Sequence, residues 1–558
     1  MFDTCISGAR VLTPEGLCSL HVLLKDGRVA ALAPADAPAP EALETIDASG
    51  LHLLPGFIDI HRHADLTPFT NAPSIEVPQG VTTQICGNCG FSAAPSAPET
   101  FGALCDYAAP ILGNIPPALC GMDMRAFLQA AAARPLRLNT GYLVGNGALR
   151  VCVKGFDPAP LSAGERSRLL GLLTDALCAD AMGLSLGLMY APECYYETPE
   201  LEAILSVAAR MDKPVVAHMR GEGASVVSSV EEMIALAERT GARVHISHLK
   251  AAGRNVWGHA VDAFLARIDA ARARGLDITF DAYPYAAGST TLTTLLPPEA
   301  LCGGTQALLA RLRVPSARRA IADALRRERP GWDNLLATTG ADRITVADSS
   351  VPQEIGRSLS ELAAGCGLDA ADLICELLMR EEGRVTVVEH HMDPADVERI
   401  LLRPECIVIS DALYGASGSP HPRAYGAFPR FLRVFVRERR LLSLEAAAAK
   451  ITSMPADFFG LRERGRIAPG YHADLVLLDL TRLADLATYE SPRRFPEGIR
   501  AVFVNGQSQG QGGALHPTSL RGQGGALHPA SLRAGLNPYA SRDGRSHTAF
   551  PGVLLGAT

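Results

Sequence analysis

His61 and His63 stand two residues apart in PGFIDIHRHAD, at the C-terminal end of an apolar run that reads as a strand. Residues i and i+2 of a strand point to one face, so both imidazoles can meet a single metal ion. In a barrel, the C-terminal ends of the strands are also where active sites form. Four further strand-like runs carry ligand-type residues at the same end: Cys86 and Cys89 in ICGNCGF, His218 in AHMRGEG, His245 and His248 in HISHLK with Lys250 beside them, and Asp411 in ISDALYG. Imidazole, thiolate and carboxylate together suit zinc, and a catalytic zinc keeps one position open for water.

Each of these residues has a plainer reading when taken alone. A strand-end histidine is usually a hydrogen-bonded structural group, and an aspartate there can simply cap a turn. Cys86-Gly-Asn-Cys89 lacks the second CxxC of a zinc ribbon and the context of a redox pair. The adjacent His390 and His391 would point to opposite faces of a strand and read as structural. The weight lies in the set and its order along the chain.

That set needs a scaffold of alternating elements. Strand candidates are GFIDI, VTTQIC, LNTGYLV, GLSLGLM, PVVAHM, RVHISH, DITFDAY and CIVISD, eight in all. Helix-period segments lie between many of them: SRLLGLLTDALCADA, SSVEEMIALAERT, and AVDAFLARIDAARARG with Gly275 as its stop. Strands alternating with helices imply parallel pairing, and eight such strands predict an α/β fold, a (β/α)₈ TIM barrel over residues 55–461. An excursion with its own helices runs from Tyr285 to Ser350, an insertion near 286–350 of a length that often serves as a lid. Residues 1–54 and 462–507 have hairpin-like β texture and predict a small β-sandwich domain built from both chain ends. Residues 508–558 form a tail in which GQGGALHPTSLR (Gly510–Arg521) recurs as GQGGALHPASLR (Gly522–Arg533), so His516 and His528 read as tail histidines, not ligands.

Composition narrows the class. A chain of 558 residues, 47% hydrophobic and 20% charged, can bury a large core and is long enough for several units. A net charge of −7 offers no reason to expect nucleic acid or an anionic membrane as partner. No run approaches the roughly 18 apolar residues of a membrane span. Thirteen cysteines scattered without pattern, and an N-terminus without basic and apolar regions, point to a reducing cytoplasm.

In order, PGFIDIHRHAD, GNCG, AHMRGEG, SHLK, DAYPY and SDALYGASGSPHPRAYGAFPRFL resemble the signature segments of the N-acyl-D-amino-acid deacylase (D-aminoacylase) branch of the amidohydrolase superfamily, over roughly residues 1–506. HxH alone marks the superfamily; GNCG and HPRxYGxFPRxL are far more specific. The resemblance implies zinc-dependent hydrolysis of the amide of an N-acyl-D-amino acid. It implies a tight zinc site of Cys89, His218 and His248, a second, weaker site of His61 and His63 with the same cysteine, and Asp411 as catalytic carboxylate. Lys250, Tyr283, Ser289 and Arg423 match residues that hold the substrate's carboxylate and neighbouring atoms. Arg423 suits that carboxylate because its planar fork binds bidentately. Departures from the pattern are the extra thiol Cys86, Asn146 where histidine is expected, and the unusual Cys194 and Tyr195. Side chains of the D-methionine, D-glutamate and D-aspartate types all stay open, as does the oligomeric state. The competing readings are a cyclic amidase of the dihydropyrimidinase or dihydroorotase type or a dipeptidase, disfavoured because GLSLGLM offers no lysine for carboxylation, and a non-catalytic scaffold, disfavoured because every ligand is present.

Overall fold

The computed structural model describes residues 1–70, 74–414, 417–509 and 552–556; the tandem repeat lies outside the described residues. Its organising feature is a run of parallel strand pairings. Phe57–Asp59 pairs with Val81–Cys86, and that strand with Asn139–Tyr142. Val144–Gly145 continues to Leu184–Gly187, then Val215–His218, Val244–Ile246, Ile278–Ala282 and Cys406–Val408. Ala412–Leu413 then pairs back with Arg62–His63, beside the first strand. Every residue of Val81–Cys86, Leu184–Gly187 and Val215–His218 is buried, as parallel strands covered on both faces require. The architecture is α/β of the TIM-barrel type.

The helices between these strands follow local signals. Ala163–Cys178 starts one turn earlier than its apolar period suggests, because Ser162 and Glu165 form a reciprocal capping box. Val226–Thr240 and Ala260–Ala273 turn Val230, Met233, Phe264 and Ile268 onto the strands.

The N-terminal strands and the strands of residues 475–508 meet in a second sheet. Eight strands, from Phe2–Thr13 to Gln507–Ser508, form one mixed sheet in which His52–Pro55 lies antiparallel to Leu475–Leu478. The expected β-sandwich is therefore a single continuous sheet in its hydrogen bonding. Strand Phe2–Thr13 pairs through its first half with Ala42–Asp47 and through its second with His52–Pro55, while its register against Gly16–Lys25 shifts between Ile6 and Ala9. In Leu475–Leu478, Leu475 and Leu477 enter the sheet's own core while Val476 and Leu478 join the core of the main body. The period of two thereby welds the units together.

Strands of the excursion pair with one that lies beyond Ser350. Gly288–Thr291, Ile344–Asp348 and Thr386–Glu389 form a three-stranded antiparallel sheet over a separate core that includes Leu308, Leu312, Ile374 and Leu377. Its central strand, Thr386–Glu389, is the one furthest along the chain, and only pairing across some hundred residues of sequence reveals that it belongs here.

Candidate metal centre

The predicted residues converge where the parallel strands end. Cys89 Sγ lies 3.2 Å from His61 Nε2 and 3.4 Å from His248 Nε2. His218 Nδ1 is 2.9 Å from His248 Nε2. Asp411 Oδ1 is 3.6 Å from His61 Nε2 and 3.4 Å from His63 Nε2. Three groups of ligand-type atoms result: His61–Cys89–His248, His61–His63–Asp411, and His218–Glu222–His248. Relative to the expected sets, Asp411 joins the HxH pair and Glu222 joins His218 and His248.

Backbone strain concentrates here. Cys89 (φ 55°), His248 (φ 36°) and Asp411 (φ 50°) all hold left-handed conformations that cost a non-glycine residue roughly 1–2 kcal/mol. Such strain persists only where surrounding contacts over-determine it. Asn88 Nδ2 donates to the carbonyls of Ile60, Arg62 and Ile85, tying the cysteine loop to the HxH strand. Ser185, on the strand Leu184–Gly187, accepts a hydrogen bond from Gly90 N at 3.1 Å. Gly90 has φ 76°, and a Cβ there would collide with Glu193 Oε1. The Asp411 backbone N–H donates to His61 O at 3.0 Å, and Arg62 spans Asp59 and Ser410, which locks the last strand onto the first.

Burial by itself would keep the Cys89 thiol protonated, but the His61 and His248 imidazoles hold its pKa well below the usual thiol range. Asp411 is likewise buried, and Arg423 at 2.9 Å, with His61, holds it well below the carboxylate range. His218 is lowered, chiefly by burial. Among the described residues His63 Nδ1 and His218 Nε2 are buried without a hydrogen-bond partner. An ionised thiol, imidazoles with unused nitrogens and a carboxylate converging in a buried site are a donor set that fits zinc.

The remaining predicted residues line the adjoining cavity of about 40 Å³, with His63, Cys89, His218, His248 and Asp411. Lys250 Nζ sits 2.5 Å from Glu222 Oε1 and 2.8 Å from His248 Nδ1. The Arg423 guanidinium lies 4.5 Å from the Tyr283 ring centroid and donates to Ser289 O at 3.2 Å. Among the described residues its Nε and Nη1 are buried without a hydrogen-bond partner. His391, read from sequence as structural, reaches the same cavity and pairs with Glu389 at 2.9 Å.

His245 does not join the cluster. It bonds Asp281 Oδ2 (2.9 Å) and Thr279 Oγ1 (2.7 Å), and Asp281 in turn faces His61 Nδ1 at 3.5 Å and accepts the His248 backbone N–H. Cys86 stands outside all three ligand groups, and burial keeps its thiol well above the usual range. Asn146 donates to Glu193, whose pKa burial pushes up to about 7. Tyr195 donates to Pro298 O, and Cys194 lines a separate, larger cavity. Sequence reasoning misses Glu222 and Asp281 as site residues although both lie in the quoted motifs. For Asp281 the available signal is a carboxylate in an otherwise apolar strand, which survives burial only when paired; Glu222, in the loop after its strand, carries no such signal.

Imidazole, thiolate and carboxylate gathered at the strand ends of a TIM-barrel-type fold define a metal-dependent amidohydrolase. Residues 403–508 match the amidohydrolase family. N-acyl-D-glutamate deacylase of Alcaligenes xylosoxydans xylosoxydans is 35% identical over 87% of this chain and 88% of its own. The crystal structure of N-acyl-D-glutamate deacylase from Bordetella bronchiseptica, complexed with zinc and a phosphonate mimic of the tetrahedral intermediate, is 33% identical with a TM-score of 0.77 over 91% of this chain and 96% of that one. A D-aminoacylase structure described by its binuclear metal centre, with one-metal activation and second-metal attenuation, is 30% identical with a TM-score of 0.76 over the same shares. The chain belongs to the N-acyl-D-amino-acid deacylase (D-aminoacylase) family. No helix among the described residues is long and apolar enough to cross a membrane.

Proposed function

We propose that this protein hydrolyses the amide bond of N-acyl-D-amino acids to a carboxylate and a free D-amino acid, with zinc held by Cys89, His218 and His248 and a second, weaker site at His61 and His63. The observation that carries the reading is the Cys89 thiolate set between His61 and His248, with Asp411 and Arg423 beside it. The parallel pairings that run from Phe57–Asp59 and return through Ala412–Leu413 support a closed (β/α)₈ barrel over residues 55–461. The β-unit then comprises 1–54 and 462–507, and the insertion extends from about 286 to about 392. Thirteen free cysteines suit a reducing cytoplasm.

Zinc, when bound, supplies a Lewis acid and brings the pKa of a water to roughly 7. The chain's own residues do the rest. An Asp411 oxygen takes the proton of the attacking water and returns it to the leaving nitrogen, acting first as base and then as acid. Arg423 offers its two unused donors, Nε and Nη1, to the substrate's α-carboxylate, with Tyr283 packed on the guanidinium, and Lys250 and Ser289 beside it. Asp281 orients His61 and backs the His248 turn. Asp281→Asn is therefore expected to weaken zinc binding by roughly 10–100-fold, measured by chelator competition; wild-type affinity would remove Asp281 from the site.

A cavity of about 540 Å³ adjoins the small one through Phe91, Met189, Tyr190 and Thr294. Its walls include Phe156, Leu188, Leu296 and Trp332, and both of its arginines are engaged. Arg220 is held by Glu232 (3.0 Å) and the Cys194 carbonyl, and Arg239 by Glu202. That lining suits an apolar side chain better than a second carboxylate. The test is zinc-loaded turnover of paired N-acetyl-D- and N-acetyl-L-amino acids. Turnover confined to D-isomers is expected, with kcat/KM for D-leucine or D-methionine derivatives at least about tenfold above D-glutamate. Equal turnover of L-isomers would overturn the deacylase reading. The reverse side-chain order would move the side chain toward the smaller cavity that holds Arg384.

A further inference from the structure

Among the described residues, the strand that begins at Asn139 has an edge that no strand of the main body fills. On one side Thr140 pairs with Gln84. On the other, pairing with Leu184–Gly187 starts only at Val144, and the preceding contact is Met182 N to Tyr142 O. Thr140 would thus face a gap, and an unpaired strand edge is a site for strand addition. Residues 552–556, from the far end of the chain, occupy it. Thr140 N donates to Val553 O (2.9 Å) and Leu555 N donates to Thr140 O (2.8 Å), forming a parallel bridge between Thr140 and Leu554.

Three further features mark a built socket. Gly552 N donates to Leu136 O at 2.9 Å, and a Cβ at Gly552 would collide with Leu138 O, so only glycine lets the two backbones approach. Leu554 and Leu555 pack against the main core. Fully buried Asn139 takes Val553 N and Asn505 Nδ2 on Oδ1 while its Nδ2 donates to Asp474, joining the peptide, the barrel-type body and the β-unit at one node. The socket lies at the N-terminal end of its strand, whereas the metal centre lies at the C-terminal ends.

We propose that residues 552–556 are an intramolecular clasp: a strand carried on the C-terminal tail that closes an open sheet edge on the face opposite the catalytic one and serves stability, not turnover. The test uses the full chain. Gly552→Val should speed hydrogen exchange in the segment holding the Thr140 amide at least tenfold and lower Tm by several degrees, while zinc content and kcat/KM stay within twofold of wild type. As a second measurement, the full-length Gly552→Val chain should bind a labelled peptide of residues 549–558 that the wild type does not. Unchanged exchange at Thr140 together with absent peptide binding would overturn the clasp. A dimer that Gly552→Val dissolves would overturn its intramolecular assignment. None of these readouts depends on which acyl amino acid is cleaved, so failure of the clasp and failure of the deacylase reading are distinguishable.

Discussion

Asp411→Asn is expected to lower kcat by roughly 10²–10⁴-fold while zinc content stays at the wild-type level. The asparagine preserves the shape of the side chain and its contact with Arg423 but has no oxygen able to take a proton. In the wild type, burial opposes ionisation of Asp411, yet Arg423 at 2.9 Å and the neighbouring imidazoles hold it ionised, so the base is ready at neutral pH. Its other oxygen, 3.4 Å from His63 and 3.6 Å from His61, places it over the ligand cluster where an attacking water must stand. Steady-state kinetics paired with metal analysis on the same sample decides the matter. Full zinc with kcat within threefold of wild type would mean that another group moves the proton.

Cys89→Ser should cost more at the metal than any supporting residue. Loss of a residue that only orients ligands weakens metal binding by roughly 10–100-fold, and loss of the thiolate is expected to exceed that range. The reason is charge. Cys89 is the anionic donor seated between His61 and His248, and its ionisation survives burial only through those imidazoles. A serine hydroxyl in that position stays protonated and offers the metal a neutral oxygen. Competitive chelator titration should find stoichiometric zinc lost at micromolar metal, and activity lost with it. Tight zinc in the Cys89→Ser protein would show that the histidines and Asp411 suffice, and would shift weight to the His61–His63–Asp411 group.

Much of the scaffold is legible in the sequence because its signals are local. All eight runs read as strands, from GFIDI to CIVISD, contain an observed strand, since most parallel strands buried on both faces are rich in apolar and β-branched residues and each run is short and bounded. The apolar period places the start of the helix at Ala163–Cys178 too late, because a capping box is a side-chain to backbone exchange outside that period. Sequence texture ends the insertion at Ser350, because the strand Thr386–Glu389 gains its meaning only by pairing with Gly288–Thr291 and Ile344–Asp348.

Sequence by itself determined which candidate donors the chain owns, His61, His63, Cys89, His218, His248 and Asp411, and that each lies at the end of a strand-like run, because residue type and strand period are properties of the chain alone. Tertiary structure decided which of them meet. His245 and His248 share one motif, yet the left-handed backbone at His248 turns it into the cluster, while His245, still on the strand, holds Asp281. Glu222 and Asp281 gain roles only from partners far along the chain or on a neighbouring strand, and Thr140 from a peptide at the other end of the chain. A side chain's chemistry is intrinsic to it; its pKa, its orientation and its partner are set by what folding packs against it.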